Sequence, residues 1–313
     1  PKQFINFSNE NINEFGFYPP NEGVLELRVA ITNWLIKRYG ILNIDPDKNV
    51  MTLNGSREGL FNSALALCPK KKNNKKPVIL MPNPFYQCYL VASLIAGSKP
   101  IMLNTSKENN YLPELEKINK KVLSQTSIFY VCSPTNPQGG IAKKDWWKKI
   151  LTLAEENDFI VFSDECYSEI YHETIPTGAL EVANQIGVDF NRIVIFNSLS
   201  KRSNLPGLRS GFVASGEKNI IKLKKLKSYS GAPNPIPLQR IAAKVWNDEE
   251  HVNMNRKIYK SKILKVNEIF SKLENFSPPE AGFFIWLKVK NDEKTTKKLW
   301  KYHGVKVLPG SYL

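Results

Sequence analysis

The chain has 313 residues, 42% of them hydrophobic, enough for one large core and a smaller partner. No run approaches the roughly 18 uninterrupted apolar residues of a membrane-spanning helix, and the start Pro1-Lys2-Gln3-Phe4 has neither the apolar stretch nor the small-residue site of a signal peptide. The formal charge of +15 is mostly lysine, with only 8 arginines among 44 basic residues and no zinc-finger spacing or aromatic-basic motif, so a solvated surface without a nucleic-acid or membrane partner is expected.

In chain order, residues 24–39 have a helical period, with Leu27, Ile31, Trp34 and Leu35 on one stripe, and Gly40 stops it. Residues 50–53 read as a short strand running into Asn54-Gly55-Ser56-Arg57, where Ser56 is expected to cap a helix through Leu67. Beyond Cys68, short apolar runs at 78–81, 101–103, 128–132, 159–163, 193–196 and 212–214 alternate with helical candidates at 86–96, 112–122 and 143–157. Strands that are apolar on both faces, separated by amphipathic helices, indicate an α/β domain with a mainly parallel sheet between two helical layers. The prolines at 233–237 break that pattern. Helices are then expected at 238–246, 251–273 and 294–302, with a strand at 283–289 and an apolar run at 305–308. The division implied is a large domain at residues 45–232, with residues 1–44 and 233–313 forming a smaller α+β domain.

Chemistry-bearing residues fall just after the expected strands, where sheets of this kind present ligand loops. Lys201 stands in Ser198-Leu199-Ser200-Lys201, and Arg209 follows in Pro206-Gly207-Leu208-Arg209-Ser210-Gly211. An amine beside hydroxyls, a guanidinium and glycines can hold a phosphorylated cofactor and bind its carbonyl carbon. Gly55 and Ser56, at a strand-to-helix turn, offer backbone donors for a phosphate. Asp164 and Tyr167 close the run Phe162-Ser163-Asp164-Glu165-Cys166-Tyr167, and Asn136 lies in Ser133-Pro134-Thr135-Asn136-Pro137. Cys68, Cys88, Cys132 and Cys166 are widely spaced, and with 3 histidines and no C-x-x-C pair they read as buried free thiols of a reducing, cytoplasmic compartment and not as a metal site.

These segments, in this order, resemble the class I and II aminotransferases, pyridoxal-phosphate (PLP) enzymes of fold type I. The likeness runs from about Phe15 to Leu313 and is similar in detail to the succinyldiaminopimelate subgroup, through 83–87, 162–167, 198–212 and 305–313. The resemblance implies that Lys201 attaches the cofactor and carries protons, and that Asp164 faces the ring nitrogen. It places Asn136 and Tyr167 at the ring oxygen and Tyr86 on the ring face. Gly55, Ser56, Arg57, Ser198, Ser200 and Arg209 would line the phosphate. It also implies a homodimer, in which Tyr18 reaches the partner's phosphate. The reaction implied moves an amino group between glutamate and N-succinyl-2-amino-6-ketopimelate in lysine biosynthesis. An aspartate, alanine or aromatic amino-acid aminotransferase is the alternative, followed by the aminotransferase-like domain of a transcription regulator. Family members usually have an N-terminal arm and continue past the Pro-Gly-Ser segment to an arginine that clamps the substrate carboxylate. This sequence stops at Leu313 and begins without Met, so it is expected to be a piece of a longer product.

Overall fold

The computed structural model describes residues 12–274 and 276–313; the first eleven residues of the expected smaller domain lie outside it. Among these residues seven strands form one mixed sheet: β1 (Val50–Leu53), β2 (Val78–Asn83), β3 (Lys99–Asn104), β4 (Thr126–Cys132), β5 (Ile160–Asp164), β6 (Ile193–Ser198) and β7 (Gly211–Ser215). Their order is β1-β7-β6-β5-β4-β2-β3. The neighbours from β6 through β3 run parallel, whereas β7 is antiparallel to both β6 and β1.

Among the described residues eleven α-helices accompany the sheet: α1 (Leu25–Tyr39), α2 (Ser56–Leu67), α3 (Gln87–Ile95), α4 (Lys120–Leu123), α5 (Lys144–Glu156), α6 (Ala179–Ile186), α7 (Leu199–Arg202), α8 (Glu217–Ser230), α9 (Ile236–Asn247), α10 (Glu250–Phe270) and α11 (Asp292–His303). Side chains alternate across a strand, and here both faces are apolar. On β4, Ile128 and Tyr130 pack with Leu60 of α2, Tyr89 of α3 and Leu223 of α8. Phe129 and Val131 instead join Trp147 of α5, Leu180 of α6 and Leu35 of α1 on the opposite face. The result is the expected three-layer α/β/α arrangement of fold type I. No helix among the described residues is long and apolar enough to cross a membrane.

Four local expectations are corrected. Residues 112–122 do not make one helix: a 3-10 turn at Leu115–Lys117 ends in extended Ile118, and the Asn119 side chain accepts from the Lys121 amide, restarting the chain as α4. A capping side chain there interrupts what periodicity alone reads as continuous. Ser56 is the first residue of α2 and not its cap; Gly55, at φ 84°, holds the cap position. Among the described residues, 283–289 form no strand and 305–308 pair with none, because a strand needs a neighbour to take its backbone bonds and the nearby pairing is the isolated bridge Tyr171–Ala281. Of the four thiols, Cys132 and Cys166 are buried, while Cys68 and Cys88 are half-exposed.

The packing also crosses the expected domain division. Trp34 of α1 and Trp246 of α9 both meet the Phe212 ring of β7, at centroid distances of 6.0 and 5.2 Å. Both helices therefore share the core beneath the sheet.

Candidate active site

The carboxyl ends of β4, β5 and β6 and the start of α2 converge. Asp164 is the last residue of β5, 6% exposed. Its Oδ2 accepts from the Tyr89 hydroxyl at 2.7 Å and its Oδ1 from the Cys166 amide at 3.2 Å. Burial pushes the Asp164 carboxyl above its ordinary value, against the pull of these hydrogen bonds. Tyr167, one turn on, is buried and its phenol is likewise pushed up by burial.

Lys201 is carried on α7, directly after β6. Its Nζ lies 5.0 Å from the Phe283 ring centroid and 5.9 Å from that of Tyr167. Phe283 is held in turn by Tyr259, stacked at 5.6 Å, and by edge contact with Tyr167. Among the described residues no acceptor takes a hydrogen bond from the Lys201 amine, which stands against an aromatic wall.

A donor cradle stands next to it. A Cβ on Gly211 would lie 3.1 Å from both Ser198 Cβ and the Ser56 amide nitrogen, so that glycine lets β6 and the N-terminus of α2 come together. Ser198 is buried at the end of β6, and Ser200 is half-buried on α7. The Cys166 thiol donates to Ser56 Oγ at 3.0 Å and lies 3.9 Å from Ser198 Oγ, tying the β5 loop to the cradle. Burial pushes that thiol well up, so it remains a protonated donor. Arg209 adopts φ 53° and donates to the carbonyls of Pro206 and Asn54, each at 2.9 Å. The free amides of the first turn of α2 add their partial positive charge to these groups.

The aromatic side is built from Tyr86, which precedes α3 and packs edge-on to Tyr89 at 5.8 Å. The Arg57 Nε donates to the Tyr86 hydroxyl. Arg57 is thus directed to Tyr86, with no contact to the cradle hydroxyls. Asn136 lines the cleft shared by Tyr86, Tyr89, Cys132 and Thr135. Tyr18 is fully exposed and stands apart from all of these in the single chain. Three participants escaped the sequence reading. Tyr89 was discoverable, being three residues beyond Tyr86 within the helix expected at 86–96. Phe283 and the link from Cys166 to Ser56 depend on long-range packing and carry no local signal.

Pyridoxal phosphate fits these residues. The cradle collects hydroxyls, helix amides and one guanidinium suited to a phosphate dianion, a free amine sits beside it, and a buried carboxylate lies at the next strand end. Fold and site together define a pyridoxal-phosphate enzyme of fold type I.

Comparisons with known proteins agree. Residues 3–313 match the family "Aminotransferase class I and II", and the chain belongs to that family: it is a PLP-dependent transferase of amino groups. It is 32% identical over 303 residues to an LL-diaminopimelate aminotransferase of Dehalococcoides mccartyi, covering 94% of this chain and 75% of the relative. A protein of the same name from Natranaerobius thermophilus is 31% identical over 302 residues, with the same shares covered. Among solved structures, an aminotransferase from Neisseria meningitidis superposes with a TM-score of 0.93 at 38% identity, over 100% of this chain and 79% of its own. The aminotransferase AspB from Helicobacter pylori gives 0.91 at 31%, over 100% and 81%.

Proposed function

We propose that the chain exchanges an amino group between glutamate and a 2-oxo acid built on the diaminopimelate skeleton, in diaminopimelate and lysine biosynthesis. The observation that carries this is an unblocked Lys201 amine beside a complete donor cradle, in a chain alike over 94% of its length to relatives named for diaminopimelate. The N-succinylated substrate, N-succinyl-2-amino-6-ketopimelate, is the first form, supported by the subgroup likeness at 198–212 and 305–313. The unacylated form is the second reading, supported by the names of the curated relatives.

When bound, pyridoxal phosphate supplies an aldehyde that links to amines and a ring that accepts the electron pair left on the α-carbon. In the proposed roles, Ser56, Ser198, Ser200 and Arg209 bind the phosphate with the backbone of Gly55 and Arg57. Tyr86 covers one ring face, held by Arg57, and excludes water from it. Asn136 and Tyr167 orient the ring oxygen, and Asp164 keeps the ring nitrogen protonated. Lys201 Nζ would hold the cofactor and, once released, would take up the substrate α-proton as a general base and deliver it, within the same half-reaction, to the carbon that was the cofactor's aldehyde. The phenyl wall of Phe283 limits the water around that amine.

A homodimer completes the proposal, with fully exposed Tyr18 donating to the phosphate held by the other subunit. Sedimentation should give twice the chain mass, and a fully active monomer would refute this part.

The test of function is a half-reaction screen that follows conversion of bound cofactor to its amine form. Glutamate should react, together with N-succinyl-diaminopimelate or LL-diaminopimelate, and the faster of those two selects the form of the skeleton. Rapid turnover of aspartate or phenylalanine with neither diaminopimelate would overturn the proposal and leave the aminotransferase class intact.

A further inference from the structure

In its proposed role Asp164 stays charged in a site from which water is almost excluded. A buried carboxylate does so only where donors replace its lost hydration. Among the described residues the Tyr89 hydroxyl donates to Asp164 Oδ2 at 2.7 Å and the Cys166 amide to Oδ1 at 3.2 Å, with the Cys166 thiol also within reach of the carboxylate. Each oxygen keeps a further lone pair. The Cys166 amide is a backbone group and belongs to any residue at that position. The Tyr89 hydroxyl is a choice of side chain.

That phenol is locked in place. Tyr89 is fully buried, and its ring stacks on Tyr130 with centroids 4.4 Å apart and planes 9° from parallel. The Tyr130 hydroxyl donates to the Leu60 carbonyl at 2.6 Å, fastening the stack to α2, the helix whose N-terminus forms the cradle. Burial pushes the Tyr89 phenol well up, so it remains a donor throughout the accessible pH range. One turn earlier, Tyr86 packs edge-on against it. The entry to α3 therefore brings the ring-face residue and the donor to the carboxylate within three residues of each other.

We propose that Tyr89 is a positioning residue of the transamination reaction, its hydroxyl holding the Asp164 carboxylate charged and aimed at the cofactor's ring nitrogen. This rests on the reading of Asp164 as the partner of that nitrogen. The proton between the two groups sits on the ring when the carboxylate is stabilised and moves toward Asp164 when a donor is removed. A ring without its proton is a weaker electron acceptor, so the α-proton is removed more slowly, while substrate binding is unaffected.

The experiment loads the holoenzyme with pyridoxal phosphate labelled with 15N in the ring and records that resonance beside steady-state kinetics. Tyr89→Phe should move the resonance from the protonated toward the unprotonated position. It should lower kcat by about ten- to a hundredfold, the worth of one hydrogen bond to a charged group, while the KM for glutamate stays within about twofold. Tyr130→Phe, which loses the bond to Leu60 but leaves Asp164 its donors, should not move the resonance. The double variant Tyr89→Phe with Asp164→Ala should be no slower than Asp164→Ala alone. A Tyr89→Phe resonance unchanged from wild type, or fully additive losses in the double variant, overturns the inference. Should Tyr89→Phe fail to fold, 4-aminophenylalanine at position 89 keeps the ring shape with a weaker donor and should give an intermediate resonance; a wild-type resonance there has the same overturning force. Asp164→Ala separates the two claims. If it changes neither resonance nor rate, the placement of Asp164 fails and the inference falls with it; if it changes both while Tyr89→Phe changes neither, only the role of Tyr89 fails.

Discussion

The Arg209 guanidinium occupies the space that a side chain on Gly55 would need: a Cβ there would stand 2.1 Å from Arg209 Nη2. The two residues are 154 positions apart by their numbers, 209 and 55, yet each sets the conformation of the other. Gly55 takes φ 84° at the cap of α2, a region that L side chains rarely enter, and so leaves room for the arginine to bond the Asn54 carbonyl.

Gly55→Ala should consequently act on cofactor retention. The methyl displaces Arg209 and strains the turn by about 1–3 kcal/mol. Loss of one charge-assisted contact to phosphate should weaken the affinity of the apoprotein for pyridoxal phosphate by roughly ten- to a hundredfold. Equilibrium dialysis measures it, and unchanged affinity would show that Arg209 does not serve the phosphate.

Lys201→Ala should abolish covalent attachment while leaving the fold in place, because among the described residues the amine makes no hydrogen bond that the packing needs. Borohydride reduction followed by intact-mass measurement should add the cofactor mass to wild type and nothing to the variant. Turnover should fall by at least about 10²- to 10⁴-fold, the usual contribution of a positioned proton carrier.

Asp164→Asn should trade activity for stability. The native carboxyl is raised above its ordinary value by burial, so ionising it costs more in the folded than in the unfolded chain. That penalty is absent below the unfolded carboxylate range, near pH ~3.9, grows as pH rises toward the folded value, and is fully present beyond it. The amide variant of the apoprotein should melt higher than wild type at neutral pH, and the gap should close as pH falls below about 4. A gap that widens in acid would reverse the assigned direction.

Glu169→Ala should be costly for the fold alone. The Glu169 carboxylate is buried between Arg38 at 2.7 Å and Arg256 at 3.0 Å, joining α1 to α10. Removing one partner of a buried ion pair leaves uncompensated charge and costs about 3–5 kcal/mol. Urea unfolding should show a lower midpoint, whereas kcat of the surviving folded fraction should stay close to wild type.

The sequence by itself determined the seven apolar runs that became strands and the ends at which the chemistry gathers. Strands 128–132 and 193–196 are apolar on every residue, and that pattern is stable only with helices on both faces. Asp164, Ser198 and Lys201 lie within a few residues of their strand ends, so local order placed them on one rim of the sheet. Only the tertiary structure decided what those side chains meet. Tyr89 reaches Asp164 across 75 residues, and Cys166 reaches Ser56 across 110. Arg57 turned to Tyr86, and Gly55 took the cap position of α2, with Arg209 in the space that a side chain there would need. Residues 283–289 have the alternation of a strand but lack a neighbour to pair with. Helices α1 and α9 joined the core below β7 through Trp34 and Trp246 despite a proline-marked boundary. Periodicity reports what a segment can bury and which loops it ends in. Pairing, close approach and the partners of a buried charge are set by chain segments far away in sequence, and they exist only once the sheet has brought those segments together.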